Sequence, residues 1–272
     1  MIKALFFDID GTLLDDNRKI TPKTRTALDE CKNSNIKLYI ATARPPLLDR
    51  MLSWDDSTLS LFSGGVFYNG GCILLNDEKL YTFIPADIVQ AIIQCVGQYD
   101  TVNIALQMEH EKHAFRFPLE ENGYKSWGVS ADEALTLNQA GSLQTVKILV
   151  FYSNLIDSVK PIEKNLVTEL EKLCFDTAQF YLTDNGRCIQ IMAKSIHKVK
   201  GIERIRIALR IDKNELAVFG DDIPDLEMIS EYENSIAMDN ALELIKNAAK
   251  YVTLDNNSDG IYHAIHNILH LV

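Results

Sequence analysis

The 272-residue sequence predicts an α/β fold, a parallel sheet flanked by helices and split by an inserted α+β domain. Three observations predict it. Short apolar runs alternate with amphipathic stretches at both ends of the chain, the pattern of βαβ units. The first of these runs, Leu5, Phe6, Phe7 and Ile9, is too short for a helix and has no polar face, as expected of a strand buried on both sides. From about Pro85 to Ile191 the texture changes to hairpins and isolated helices, after which the alternation resumes.

The elements follow in order along the chain. The first strand ends in Asp8-Ile9-Asp10-Gly11-Thr12, and Leu13 to Ile20 reads as a short polar flap. Thr21-Pro22 is an N-cap followed by proline at the first helical position, opening a helix to about Asn33. Ile36 to Ala41 is a second strand, parallel to the first because a helix joins them, and it runs into Thr42-Ala43-Arg44-Pro45. Phe62 to Gly71 is a third strand, with Asn69-Gly70 and Asn76-Asp77 as turns between short antiparallel strands that reach Ile84.

The inserted block begins with a helix over Ala86 to Tyr99 and two strands between Val102 and Phe117 around the charged turn Glu109 to His113. A helical or irregular stretch from Asn122 to Ala140, a strand from Val146 to Tyr152, a helix from Val159 to Leu173 and a hairpin of Ala178 to Leu182 with Cys188 to Met192 complete it. Beyond it come a helix from Ser195 to Arg210 and a strand from Glu215 to Phe219 that ends in Gly220-Asp221-Asp222-Ile223-Pro224-Asp225. A helix to about Ser230, strands at Ser235 to Met238 and Tyr251 to Thr253, and helices at Ala241 to Ala249 and Gly260 to Leu269 close the chain. The expectation is one discontinuous domain of residues 1–84 and 192–272 carrying a domain of residues 85–191.

Composition narrows the class. With 47% hydrophobic and 24% charged residues the chain reads as globular. A net charge of -11 argues against a nucleic-acid or anionic-membrane surface, though local positive charge suffices for a small anionic substrate. No run of 18 apolar residues suggests a membrane span. Five scattered cysteines and the lack of a basic, then apolar leader lead us to expect reduced thiols in a cytoplasm. Nothing in the sequence points to an oligomeric state.

Chemistry concentrates where strands end, the edge at which open α/β sheets bind ligands. Asp8 as a carboxylate can attack phosphorus to form an aspartyl-phosphate, and Asp10 can give a proton to the leaving group and take one from water. Two carboxylates repel a phosphate dianion, so a hard cation such as Mg²⁺ is expected between Asp8 and Asp221. Thr42 and Arg44 can donate to phosphate oxygens, although a helix cap and a solvated guanidinium explain them as well. Lys198 can neutralise the site, with Lys200 as a near rival. Asn69 is either a crevice residue or a turn residue. His263, His266 and His270 recur on the last helix, and His266 with His270 has the spacing of a metal pair, but a polar helix face accounts for them. The Glu109 to His113 turn is either a specificity element or a solvated tip.

In this order Asp8-Ile9-Asp10-Gly11-Thr12, Thr42, Lys198 and Gly220-Asp221…Asp225 resemble the four motifs of the haloacid dehalogenase-like phosphatases. The insertion between the second and third motifs, and the stretches Ile236 to Ala241, Ala248 to Thr253 and Asn257 to Gly260, resemble the Cof-type members with the large α/β cap. The resemblance implies a Rossmann-like parallel-sheet core with an α+β cap that selects substrate. It implies Asp8 as nucleophile and metal ligand, Asp10 as acid/base that offers its backbone carbonyl to Mg²⁺, and Asp221 as the remaining metal ligand. Thr42 with the amide of Ala43 would hold the phosphoryl group, Lys198 is preferred to Lys200, and Asp225 would support the metal site. A small phosphorylated metabolite is the substrate implied. The chain departs from the family at Pro224, where an asparagine amide is usual. That leaves a slowed enzyme or a phosphometabolite-binding protein as alternatives, beside a phosphotransferase or mutase acting on hexose phosphates.

Overall fold

A computed structural model describes residues 1–120, 123–152, 159–194 and 196–272. The chain divides into two compact units, one of Met1–Leu80 with His197–Val272 and the other of Tyr81–Ile196. In chain order the first part contains β1 (Ala4–Phe7), α1 (Pro22–Asn33), β2 (Lys37–Ala41), α2 (Leu48–Leu52), α3 (Asp56–Leu59), β3 (Phe62–Phe67), β4 (Cys72–Leu75) and β5 (Glu78–Tyr81). The insertion contains α4 (Ala86–Val96), β6 (Val102–Met108), β7 (His113–Phe115), α5 (Gly123–Ser126), β8 (Leu135–Thr136), β9 (Thr145–Tyr152), α6 (Lys164–Cys174), β10 (Ala178–Thr183) and β11 (Cys188–Ala193). The chain ends with α7 (Lys198–Leu209), β12 (Leu216–Gly220), α8 (Leu226–Glu231), β13 (Ser235–Ala237), α9 (Glu243–Ala248), β14 (Tyr251–Val252) and α10 (Gly260–His263), the last continued by a π-turn over Ala264–Ile268.

The first unit is built on an eight-stranded sheet in the order β14-β13-β12-β1-β2-β3-β4-β5. The strands from β14 to β3 run parallel, and β4 pairs antiparallel with β3. β1 is wholly buried, which is why it reads as an uninterrupted apolar run. Helix α1 starts where the sequence places it, with the Thr21 side chain accepting from the Thr24 N–H and Pro22 in the first turn. α7 comes unusually close to the sheet at Gly201, where a Cβ would lie 2.5 Å from Val66 Cγ1. Only glycine fits there, and the contact fixes how the first turn of α7 is presented.

Several boundaries differ from expectation for local reasons. The apolar pattern from Val159 continues into α6, but the helix starts only at Lys164, beyond Pro161, whose missing N–H and fixed φ suit a helix start and not an interior. Ser195, the expected start of α7, and parts of the stretches near residues 121–122 and 153–158 lie outside the described residues. The short helices α2 and α3 carried no helical period that the sequence could reveal. No disulfide links any two of the five cysteines. Among the described residues no helix is long and apolar enough to cross a membrane.

The inserted unit is a six-stranded sheet in the order β10-β11-β9-β6-β7-β8. Alternate residues of β6 and β9, among them Ile104, Leu106, Ile148 and Val150, form a core with Val89 and Ile92 of α4 and Leu166 and Leu170 of α6. On the opposite face lie Ala105, Phe115 and Tyr124 with Trp127 and Leu149. His113 is fully buried on this sheet. Its Nδ1 donates to the Glu111 carbonyl at 3.0 Å and its Nε2 faces Gln107 Nε2 at 3.1 Å, so the ring is the neutral Nδ1–H tautomer.

Burial lowers the His113 pKa from 6.5 to about 4. A group whose folded pKa is depressed contributes stability that is present above 6.5 and lost as pH falls towards 4, because the unfolded chain takes up the proton first. The wild-type protein is expected to lose about 2 kcal/mol from this group between pH 7 and pH 5. Urea unfolding of wild type and His113→Gln at both pH values measures it; an equal pH dependence in the two proteins would rule it out.

Candidate active site

Adjacent parallel strands bring the acidic residues together. β1 pairs with β12 in the register Phe7 to Phe219, so Asp8 leaves one strand beside the point where Asp221 leaves its neighbour. The Asp8 N–H donates to the Phe219 carbonyl at 3.0 Å, prolonging the pairing by one residue. Oxygens of Asp8, Asp221 and Asp225 all lie within 4.8 Å of one another. Gly11 and Gly220 supply the room. A Cβ on Gly11 would sit 2.3 Å from Asp221 Oδ2, and one on Gly220 would sit 2.6 Å from the Asp225 Cβ.

Lys198 decides its rivalry with Lys200 by position. Its ammonium is buried and donates to Asp8 Oδ1 at 2.5 Å and to Asp225 Oδ1 at 2.6 Å, whereas Lys200 is exposed. Asp225 has its other oxygen engaged too, since Oδ2 accepts the N–H groups of Asp221 (3.0 Å) and Asp222 (3.2 Å). It therefore works as a clasp that folds residues 221–225 back on themselves and aims Asp221. Pro224 lies inside that loop, in the single turn Ile223–Asp225. Thr12 steadies Asp221 from the other side, its hydroxyl donating to Oδ1 at 2.6 Å. This contact had no separate signal in the sequence beyond the motif itself.

The charge state follows from burial. Removal from water holds Asp8 well above the usual carboxylate range; Lys198 pulls it down, while Asp225 and Asp221 push it up. Burial, with Asp225 adding to it, lifts Asp221 to about 7 even though Thr12 opposes the shift. For Lys198 burial works against the charge, but Asp225 and Asp8 outweigh it and its pKa rises. The proton therefore stays on the lysine. Such a group of crowded oxygens with unmet negative charge fits a hard divalent cation, which takes oxygen ligands about 2.0–2.6 Å away.

Asp10 adds no carboxylate to this cluster. Arg44 grips it through two bonds of 2.6 Å, Nε to Oδ2 and Nη2 to Oδ1. The guanidinium expected to meet phosphate is thus paired with the second aspartate, in the fork geometry that suits a carboxylate. Thr42 is buried at the end of β2, and its Oγ1 accepts the Arg44 N–H at 3.2 Å, which leaves the hydroxyl proton to donate elsewhere. Ala43 lies between them, half-buried. Asn69 is tied to this strand end, its N–H donating to the Thr42 carbonyl at 2.9 Å. The flap after Asp10 is held by the C-terminal segment, where Asn240 Nδ2 donates to the Gly11 carbonyl and Asn256 Nδ2 to the Leu14 carbonyl.

The histidines of the last helix do not converge. His263 Nδ1 lies 3.1 Å from Thr253 Oγ1, His266 Nε2 lies 3.0 Å from Glu30 Oε2, and His270 Nδ1 donates to the His266 carbonyl. Among the described residues the one group of three potential metal ligands is the aspartate cluster.

The sequence and the fold are similar to those of known proteins. YkrA of Bacillus subtilis (strain 168), whose name carries a provisional phosphatase assignment, is 26% identical over 271 residues, 97% of this chain and 96% of YkrA. The 5-amino-6-(5-phospho-D-ribitylamino)uracil phosphatase YcsE of the same organism is 24% identical over 269 residues, 97% of this chain and 94% of YcsE. Among solved structures, the HAD subclass IIB sugar phosphatase BT4131 superposes with a TM-score of 0.81 at 26% identity, over 99% of this chain and 100% of that one. A family model for haloacid dehalogenase-like hydrolases matches residues 5–265, and the chain belongs to that family.

Proposed function

We propose that the protein is a Mg²⁺-dependent phosphomonoesterase of small phosphorylated metabolites that works through an aspartyl-phosphate. The observation that carries this is the buried Asp8 carboxylate, held against Lys198 beside Asp221 at the ends of adjoining strands. The carboxylates of Asp8 and Asp221, with the Asp10 backbone carbonyl, would hold the ion. When bound, Mg²⁺ supplies charge neutralisation for the phosphoryl group and the attacking carboxylate.

Asp8 attacks phosphorus, the phosphorus–oxygen bond to the leaving group breaks, and Asp10 gives that oxygen a proton. Water then attacks the aspartyl-phosphate, Asp10 takes its proton, and inorganic phosphate leaves Asp8 free. Thr42, the Ala43 amide and Lys198 hold the phosphoryl oxygens throughout. Both Asp10 oxygens are occupied by Arg44, so one has to be released before it can serve the leaving group. An arriving phosphate dianion offers Arg44 that alternative acceptor. The inserted unit is proposed as the part that selects substrate. The names of YcsE and BT4131 favour a phosphate carried on a small polyhydroxylated chain.

Release of inorganic phosphate from a panel of sugar and sugar-alcohol phosphates tests the reading. Activity is expected to vanish with a chelator and return with added Mg²⁺. Hydrolysis indifferent to the chelator would overturn the metal assignment, and transfer of the phosphate to a second hexose in place of water would make the protein a phosphotransferase.

A further inference from the structure

Asn69 follows β3 in the turn Tyr68–Gly70, with φ 55° and ψ 24°. Asparagine tolerates this left-handed conformation better than most residues, which explains its backbone. Its side chain needs another reason. Asn69 is only 4% exposed, and neither Oδ1 nor Nδ2 has a hydrogen-bond partner among the described residues. Buried carboxamides are almost always paired, because leaving one unpaired sacrifices its hydration for nothing. Glycine would satisfy the same turn without that penalty.

The location supplies the reason. The Asn69 N–H bonds the Thr42 carbonyl, and the Tyr68 N–H bonds the Arg44 carbonyl at 3.0 Å, so this turn is stitched to the strand end that carries both residues. The helix of Lys198, α7, also packs against β3 and against the turn itself. The turn that carries the unsatisfied carboxamide thus touches both elements proposed above to hold the phosphoryl group.

We propose that Asn69 is a phosphate-binding residue, its Nδ2 donating to a non-bridging phosphoryl oxygen alongside Thr42 and Lys198, with a water completing Oδ1. This rests on the phosphatase reading of the same site. Its signature is a pair of effects of opposite sign: removing the carboxamide relieves the empty protein and weakens the hold on phosphate.

The test compares wild type with Asn69→Gly, which keeps the left-handed backbone, and with Asn69→Asp, which keeps the shape but replaces the donor by an anion. Four quantities are measured: the Tm without ligand, its shift on adding inorganic phosphate, the inhibition constant of inorganic phosphate in the presence of Mg²⁺, and kcat/KM for the best sugar phosphate. For Asn69→Gly the expected result is an unchanged or higher Tm, with phosphate inhibition weaker by at least about tenfold and kcat/KM lower by about 10–100-fold. Asn69→Asp is expected to lose at least as much affinity. Phosphate inhibition and kcat/KM within about twofold of wild type for Asn69→Gly would overturn the proposal. So would a Tm that falls in step with phosphate affinity in both variants, since that pattern assigns Asn69 to the turn alone. Should the Asp8→Asn protein retain full turnover, the phosphatase reading fails by itself, and the shift of Tm on adding phosphate still decides Asn69.

Discussion

Asp8→Asn is expected to lower phosphate release by at least about a thousandfold while leaving the protein as stable as wild type, or more so. The loss follows from the nucleophilic role proposed for Asp8: an amide in its place is too poor a nucleophile to form an acyl phosphate. The stability expectation follows from the balance at the site. Burial is the largest influence on Asp8 and opposes its charge, with Asp225 and Asp221 adding to the opposition. Neutralising Asp8 removes that repulsion, and Lys198 keeps Asp225 as its partner at 2.6 Å. A Tm within about 4 °C of wild type, or above it, is the corresponding readout. A large fall in Tm would mean that the pairing of Asp8 with Lys198 serves mainly to hold the fold. Normal turnover in a clean preparation would place the nucleophile elsewhere.

What the sequence made legible was the part of the site fixed by strand ends. Asp8, Thr42 and Asp221 each follow an apolar run, and parallel pairing of β1 with β2 and β12 brings three such ends together. Other choices depended on contacts with no local signature. Lys198 and Lys200 both fall in the first turn of α7, and spacing could not separate them. The close approach of Gly201 to Val66 sets which of them turns inward. Arg44 read as a phosphate donor because its partner Asp10 lies 34 residues away, and no periodicity links the two. Asn69 stayed open between crevice and turn for a different reason: turn chemistry explained its residue type equally well, and the condition of its side chain is visible only in three dimensions. The late start of α6 has a simpler cause, an apolar pattern that continued through Pro161.

Lys198→Met should be the most damaging substitution for stability as well as for activity. The lysine is 3% exposed and its ammonium separates two buried carboxylates. A methionine of similar length fills the space but leaves Asp8 and Asp225 facing each other without a counter-charge, and breaking a buried ion pair in this way costs about 3–5 kcal/mol. The Tm is then expected to fall by about 10 °C. The sign of the pH dependence separates this cause from simple misfit of the side chain. Lys198 lowers the pKa of Asp8, so its loss raises still further a value that is already high. A carboxyl with a raised folded pKa keeps its stabilising proton at low pH and loses it as pH rises through that value. The variant should therefore be nearest to wild type at low pH, where Asp8 keeps its proton, and furthest from it at high pH, where the proton is lost. Added Mg²⁺ should recover part of the Tm by restoring positive charge between the acids, without restoring turnover. A deficit that is the same at both pH values and unaffected by Mg²⁺ would trace the damage to packing, and would remove the electrostatic basis on which Lys198 is assigned to the site.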